Sequence, residues 1–213
     1  MVRRQLLTAL KVTLVLTVCL GVIYPLLTWG VAQVVFSYQA NGSMVAYRGK
    51  VVGSSLIGQE FLDNKGNPLP QYFQPRPSLA GSGYDPTKSG ASNLGPSSPS
   101  LLARCLPQKA PDGTTGCDPN TVPQRVAAYR SFNHLGPGTP VPVDAVTASG
   151  SGLDPDISVA NALDQAPRVA AARDLPAAQV VALVDSHIRN RAWGFLGENT
   201  VNVVDLNLAL DRL

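Results

Sequence analysis

Between Val12 and Phe36 the chain runs for 25 residues without a charged side chain, and only three threonines and one glutamine there are clearly polar. At about 1.5 Å of rise per residue, a helix of that length spans about 37 Å. The hydrocarbon core of a bilayer is roughly 30 Å thick. A charge at mid-bilayer costs about 2.5–3.5 kcal/mol on insertion scales, so a charge-free run of this length is a membrane anchor by composition. Arg3, Arg4 and Lys11 precede it and the next charge is Arg48. The positive-inside tendency then keeps the N-terminus in the cytoplasm and sends the rest outside. A cleaved secretory signal shares the basic start, but its apolar region is only about 7–15 residues, and Ser37–Ala40 is a poor cleavage site. Gly21 and Pro25 are both tolerated in membrane helices.

Three regions follow: a cytoplasmic basic tail (1–11), a transmembrane helix (12–36) and one loop-rich extracytoplasmic α+β domain (37–213). The net charge of +3 belongs to the tail, because setting aside its three cations leaves 14 Lys+Arg against 14 Asp+Glu. No basic face points to nucleic acid. Cys19 falls within the span. Cys105 and Cys117, with 11 residues between them, lie in a Pro/Gly/Thr-rich segment. In an oxidising compartment a disulfide closing this loop contributes about 3 kcal/mol in the loop-entropy model, and the spacing fits no zinc pattern.

Along the domain, Met44–Val52 reads as a strand, and Gly53–Phe61 as a second strand or a turn. Asn64–Pro99 is dominated by Gly, Pro, Ser and Asn, yet holds Tyr72, Phe73 and Tyr84, so an ordered irregular surface is expected. Leu101–Cys105 begins a helix, Val122–Tyr129 forms another with Pro123 in its first turn, and Val141–Thr147 reads as an edge strand. Ser158 caps a short helix to Gln165, and Pro167 starts a further one ending near Arg173. Val180, Val184, Ile188 and Ala192 recur at helical spacing in a helix opened by Pro176, with Arg189 and Arg191 in its last turn and Gly194 and Gly197 stopping it. Val201 to Leu210 alternates with one phase slip and reads as a final strand.

Catalytic and metal sites are not expected. The chain has no phosphate-binding G-x-x-x-x-G-K-[ST] loop, no H-E-x-x-H and no C-x-x-C. Ser149-Gly150-Ser151-Gly152 does not match the G-x-S-x-G hydrolase elbow. His187 falls on the apolar helix as a boundary residue, and His134 lies in a solvated Gly/Pro loop. Asp154 and Asp156 flank Pro155. They offer two oxygen ligands for a hard cation, but as a turn and helix start they need no ion.

Several strings carry a resemblance. Thr147-Ala148-Ser149-Gly150-Ser151-Gly152-Leu153-Asp154-Pro155, followed by Ile157-Ser158, closely resembles the signature of the C-subunit family of the Kdp potassium-transporting ATPase. Gly53-Ser54, Leu56-Ile57-Gly58-Gln59, Tyr72-Phe73, Arg76-Pro77-Ser78, Ser92-Asn93-Leu94-Gly95-Pro96, Gln165, Pro167-Arg168-Val169-Ala170, Gly194-Phe195-Leu196-Gly197-Glu198 and Val201-Asn202-Val203 are similar too, in the family's order. Departures are Gln74-Pro75 for Trp-Gly, Ala91 for glycine, Ser98 for asparagine and Asp156 for histidine. The segment around Cys105–Cys117 looks like an insertion.

The resemblance implies a non-catalytic subunit of a high-affinity potassium uptake complex in the bacterial cytoplasmic membrane. Its partners would be a channel-like K⁺-translocating subunit, a P-type ATPase subunit and a small single-span subunit. The chain lacks both a phosphorylation Asp-Lys-Thr-Gly and a selectivity filter of its own. The resemblance further implies a catalytic chaperone raising the ATP affinity of the pump subunit, with Gln165 as a nucleotide contact. No covalent cofactor is implied. Positive-inside topology puts Gln165 outside, whereas ATP is inside: either that topology is reversed, or any such effect is indirect, through contacts with the partner subunits. In the anchor, Gly21, Thr28 and Gly30 would let a neighbouring helix approach closely. Two other classes compete: a membrane-anchored envelope hydrolase built on Ser149 or Ser151 with Asp154, and an envelope binding module unrelated to transport.

Overall fold

The structure is a computed structural model that describes residues 2–103, 107–109 and 115–213. It divides into two compact units, Met1–Ser54 and Ser55–Leu213. In the first, a single apolar helix, α1, runs over Val2–Val35. Arg3, Arg4 and Lys11, expected as a tail, occupy its opening turns. A π-turn spans Cys19–Ile23, just ahead of Pro25. Proline has no N–H for the ladder and its ring crowds the preceding turn, and a widened turn relieves both. Thr28 Oγ1 donates to the Tyr24 and Pro25 carbonyls at 3.0 Å, answering its own polar group within the helix. After the short α2 (Ser37–Ala40) comes an antiparallel hairpin of β1 (Met44–Tyr47) and β2 (Lys50–Ser54). The expected single strand is thus two, turned at Arg48 and Gly49, both at positive φ.

The second unit opens with irregular chain. Among the described residues its first helix is α3 (Pro99–Leu102), followed by a β3 (Pro107–Lys109) and β4 (Thr115–Cys117) pair. The expected Cys105–Cys117 disulfide lies outside the described residues. α4 (Val122–Phe132) forms as its sequence predicts, with Pro123 in the first turn. Val141–Thr147, expected as a strand, instead contains a single helical turn, α5 (Val143–Val146).

The core is built by three helices and a three-stranded sheet. β5 (Asp156–Ser158) leads into α6 (Val159–Ala172), which packs on α7 (Ala177–Ser186). A three-stranded antiparallel sheet has the order β5-β7-β6, with β6 at Ile188–Arg189 and β7 at Thr200–Asn202. α8 (Val203–Leu210) closes the chain. Phe73, Ile157, Ala162, Ala166, Val169, Val180, Val184, Val201, Val203, Leu206 and Leu210 form one buried cluster. Each large apolar side chain buried there contributes about 1.5–3 kcal/mol.

Three expectations are corrected. α6 is continuous through Pro167, which ends no helix; Pro167 and Leu163, whose carbonyl the missing N–H would have served, are both on the exposed side. α7 stops at Ser186 rather than Ala192. There the Leu183 carbonyl lies 2.8 Å from both Ser186 Oγ and His187 Nδ1, and Ile188 and Arg189 leave to pair with β7. Arg189 and Arg191 therefore lie beyond the helix. The final strand is only Thr200–Asn202. The phase slip marks a change of element, where Asn202 accepts from the Asp205 N–H at 3.0 Å and caps α8.

Candidate functional site

α6 buries two faces. Ala162, Ala166 and Val169 enter the apolar core, while Asn161, Gln165 and Arg168, spaced i, i+4, i+7, form a buried polar stripe beside them. Buried polar groups are costly unless hydrogen-bonded. Here the partners come from the Pro/Gly-rich loop. Gln165 Oε1 accepts from the Gln74 N–H at 2.7 Å, and its Nε2 donates to the Gln74 carbonyl at 3.1 Å. Asn207 on α8 does the same to the preceding residue: Oδ1 accepts from the Phe73 N–H and Nδ2 donates to its carbonyl, both at 2.9 Å. Two carboxamides thus take the place of a neighbouring strand for consecutive residues, and Phe73 is driven into the core at 0 % exposure.

The remaining capacity of Gln165 is filled as well. Nε2 also donates to Asn161 Oδ1 and Oε1 also accepts from Arg168 Nη2, each at 2.9 Å. Asn161 Oδ1 accepts in turn from the Tyr129 hydroxyl at 2.9 Å. Arg168 donates from Nε to Asn133 Oδ1 at 2.9 Å and from Nη1 to the Pro70 and Tyr72 carbonyls. Its guanidinium lies 4.3 Å from the Phe132 ring centroid. Burial lowers the Arg168 pKa to about 10, which leaves it cationic at neutral pH. Against this network lies a groove of about 310 Å³ whose walls include Gln74, Arg76, Arg125, Tyr129, Phe132 and Gln165. Glu60 stands at the same groove, and burial raises its carboxyl pKa.

The motif loop 149–155 has a different chemistry. Ser149 Oγ accepts from the Gly152 N–H at 2.9 Å and Ser151 Oγ from the Leu153 N–H at 3.1 Å, so both hydroxyls serve the turn. Four consecutive carbonyls then accept from four separate places. Ser151 O takes the Gly90 N–H at 2.8 Å, Gly152 O the Ser78 hydroxyl at 2.6 Å, Leu153 O the Gly58 N–H at 2.9 Å and Asp154 O the Tyr84 hydroxyl at 3.2 Å. Gly152 sits at φ +69°, and a Cβ there would stand 2.6 Å from the Gly90 carbonyl and 2.9 Å from the Ala80 nitrogen. Only glycine fits. Pro155 follows, its carbonyl accepting from the Val203 N–H at 2.9 Å. The loop is a clasp that gathers residues 58–90 onto β5. The irregular surface expected from the buried aromatics is ordered by it.

The two carboxylates are engaged by arginines: Asp154 Oδ2 stands 3.3 Å from Arg76 Nη1, and Asp156 Oδ1 stands 3.6 Å from Arg189 Nη1. Burial raises the Asp156 pKa, partly offset by Arg189. No cluster of three or more metal-ligating side chains occurs among the described residues. His187 sits at the end of α7 with Nδ1 against the Leu183 carbonyl, and His134 is exposed at φ +56°. Gln165 and the motif serines therefore occupy separate places, one in the groove wall and the others in the clasp. Asn161 and Asn207 carry no reading from the sequence, and Arg168 enters there only within the string Pro167–Ala170. The i, i+4, i+7 run of polar residues on an otherwise Ala/Val helix is the signal that marks Asn161 and Arg168.

This architecture defines a small mixed α/β domain with irregular chain clasped to its core, with one helix of membrane-spanning length among the described residues. The family model of the K⁺-transporting ATPase c chain, KdpC, matches residues 6–212. The potassium-transporting ATPase KdpC subunit of Mycobacterium tuberculosis (strain H37Rv) is 52% identical over 211 residues, 99% of this chain and all of the relative. That of Kineococcus radiotolerans is 50% identical over 207 residues (97% and 93%), and that of Caulobacter vibrioides 48% over 196 residues (92% and 86%). The chain belongs to the KdpC family, whose members are subunits of a potassium-transporting ATPase.

Proposed function

We propose that this chain is an accessory, non-catalytic subunit of an ATP-driven K⁺ uptake complex, anchored by α1 with its N-terminus in the cytoplasm and its second unit outside. It holds together a channel-like K⁺-translocating subunit, a P-type ATPase subunit and a small single-span subunit, and supports K⁺ access from outside. Its effect on ATP affinity is exerted through those partners. The observation that carries the reading is Gln165. It is 2 % exposed, and protein groups occupy both acceptor positions and both donor hydrogens of its carboxamide. A side chain so engaged would lose that pairing before it could meet a nucleotide, leaving buried donors and acceptors open at about 1–3 kcal/mol each. The basic start and charge-free span support the orientation.

A photoreactive ATP analogue added to the purified complex should label the P-type ATPase subunit and leave this chain unlabelled. Labelling of Gln165 or the groove residues around it would overturn the indirect account. Protease added to intact spheroplasts should remove the second unit; digestion only after lysis would reverse the orientation.

A further inference from the structure

β6 and β7 are joined by ten residues, 190–199, and every residue from 189 to 199 is exposed. The loop is nevertheless tightly built. Ala192 and Leu196 form a bridge, the Ala192 N–H donating to Leu196 O at 2.9 Å and the Leu196 N–H to Ala192 O at 3.0 Å, while the Gly194 N–H donates to Arg191 O at 3.1 Å. Trp193 at φ +53° and Gly194 at φ +83° make the tip. A left-handed conformation at a bulky residue is costly, so the tip holds its indole outward against local preference. Trp193 is 85 % exposed, Phe195 68 % and Leu196 47 %, and the two aromatic rings lie 6.5 Å apart.

We propose that this hairpin tip is an anchor that inserts into an uncharged, apolar socket on another subunit of the same complex. Two observations favour a protein socket over a lipid surface. First, the cations around the tip are already neutralised. Arg191 pairs with Glu198 at 2.9 Å, and Arg189 with Asp205 at 2.7 Å and Asp156 at 3.6 Å. That leaves no surplus positive charge for anionic headgroups, and the complementary surface is neutral. Secondly, a bridged and strained tip presents Trp193 and Phe195 in fixed relative positions. Such preorganisation lowers the ordering cost of docking into a shaped pocket and brings little advantage in fluid lipid. Trp-centred anchors ringed by satisfied polar pairs are the composition of interface hot spots. The Arg191–Glu198 pair supplies that rim.

This inference rests on the reading of the chain as a subunit of the uptake complex, and one experiment separates the two. The full-length chain, affinity-tagged, is purified with its complex from membranes as wild type, Trp193→Ala, Phe195→Ala and the double variant. The wild-type chain should retain its partner subunits. The double variant should retain them about tenfold less or worse, the range expected for losing hot-spot aromatics. Unchanged retention by the double variant would overturn the anchor while leaving the subunit reading intact. A wild-type chain that retains no partners would overturn the subunit reading itself. To exclude misfolding, p-benzoylphenylalanine is placed at position 193 in the assembled complex and irradiated. A covalent adduct to a partner polypeptide is the expected result. Adducts to lipid alone, or none, would overturn the socket.

Discussion

The clasp around Gly152 and the hairpin loop carrying Gly194 and Gly197 are both short, glycine-bearing and irregular, yet their glycines answer to different forces. At Gly152 an added methyl would meet the Gly90 carbonyl at 2.6 Å, and at Gly58 it would meet the Tyr84 ring at 2.4 Å and the Asp154 carbonyl at 2.8 Å. At Gly194 and Gly197 it would meet nothing within 4 Å. In the clasp, glycine lets backbone approach backbone and pulls residues 58–90 into the fold. In the hairpin it serves only the turn angles of φ +83° and +84°. Gly152 and Gly58 are crowded where the fold closes on itself, whereas Gly194 and Gly197, like Gly150 at the edge of the clasp, stand open.

The sharpest way to break this comparison is Gly152→Ala, which combines positive φ with backbone overlap. It should destabilise the second unit by about 3 kcal/mol or more, read from denaturant unfolding of the full-length chain. A loss under about 1 kcal/mol would mean that the clasp yields and is no closure point. Next comes the polar stripe. Gln165→Leu leaves the Gln74 backbone, Asn161 and Arg168 short of partners and should cost about 2–3 kcal/mol, measured the same way. Milder still is Gly197→Ala, expected near 1 kcal/mol because only the backbone angle opposes it. Trp193→Ala should change stability by less than about 0.5 kcal/mol, since an exposed side chain is removed. A larger loss would show that the tip is part of the core's support.

One comparison is tested by pH rather than by volume. Burial raises the Asp156 pKa above the ordinary aspartate value even with Arg189 nearby. Just above that ordinary value the folded chain holds more protons than the unfolded one, so stability falls as pH rises through the window. Asp156→Asn should remove that slope in unfolding curves taken across it. An unchanged slope would place its origin elsewhere, with Glu60, whose pKa is raised in the same sense, as the next group to vary.

The long N-terminal helix, the Ser158 cap and the buried Val180 and Val184 of α7 are legible because local pattern and final conformation agree. Ser158 Oγ accepts from the Asn161 N–H at 3.1 Å as a cap should. The end of the chain reads as a strand because Val201, Val203 and Val204 favour one by propensity, whereas packing of Leu206 and Leu210 on the core turns the eight residues Val203–Leu210 into a helix. Asn202 followed three residues on by Asp205 was the missed signal of that change. The apolar spacing of α7 continues to Ile188 and predicts a longer helix than the one that forms, Ala177–Ser186. Sheet pairing with Val201 claims Ile188 instead.

The sequence by itself determined the elements whose reasons are local: a charge-free span long enough for a bilayer, caps, turn glycines and the strings that place the chain in its family. Tertiary structure alone decided where distant groups meet. No spacing rule links Gln165 to Gln74 or Asn207 to Phe73, since 91 and 134 residues separate these pairs. Such contacts are set by which backbone groups remain unpaired once the core has formed. A buried amide must then find a partner wherever the fold has brought one.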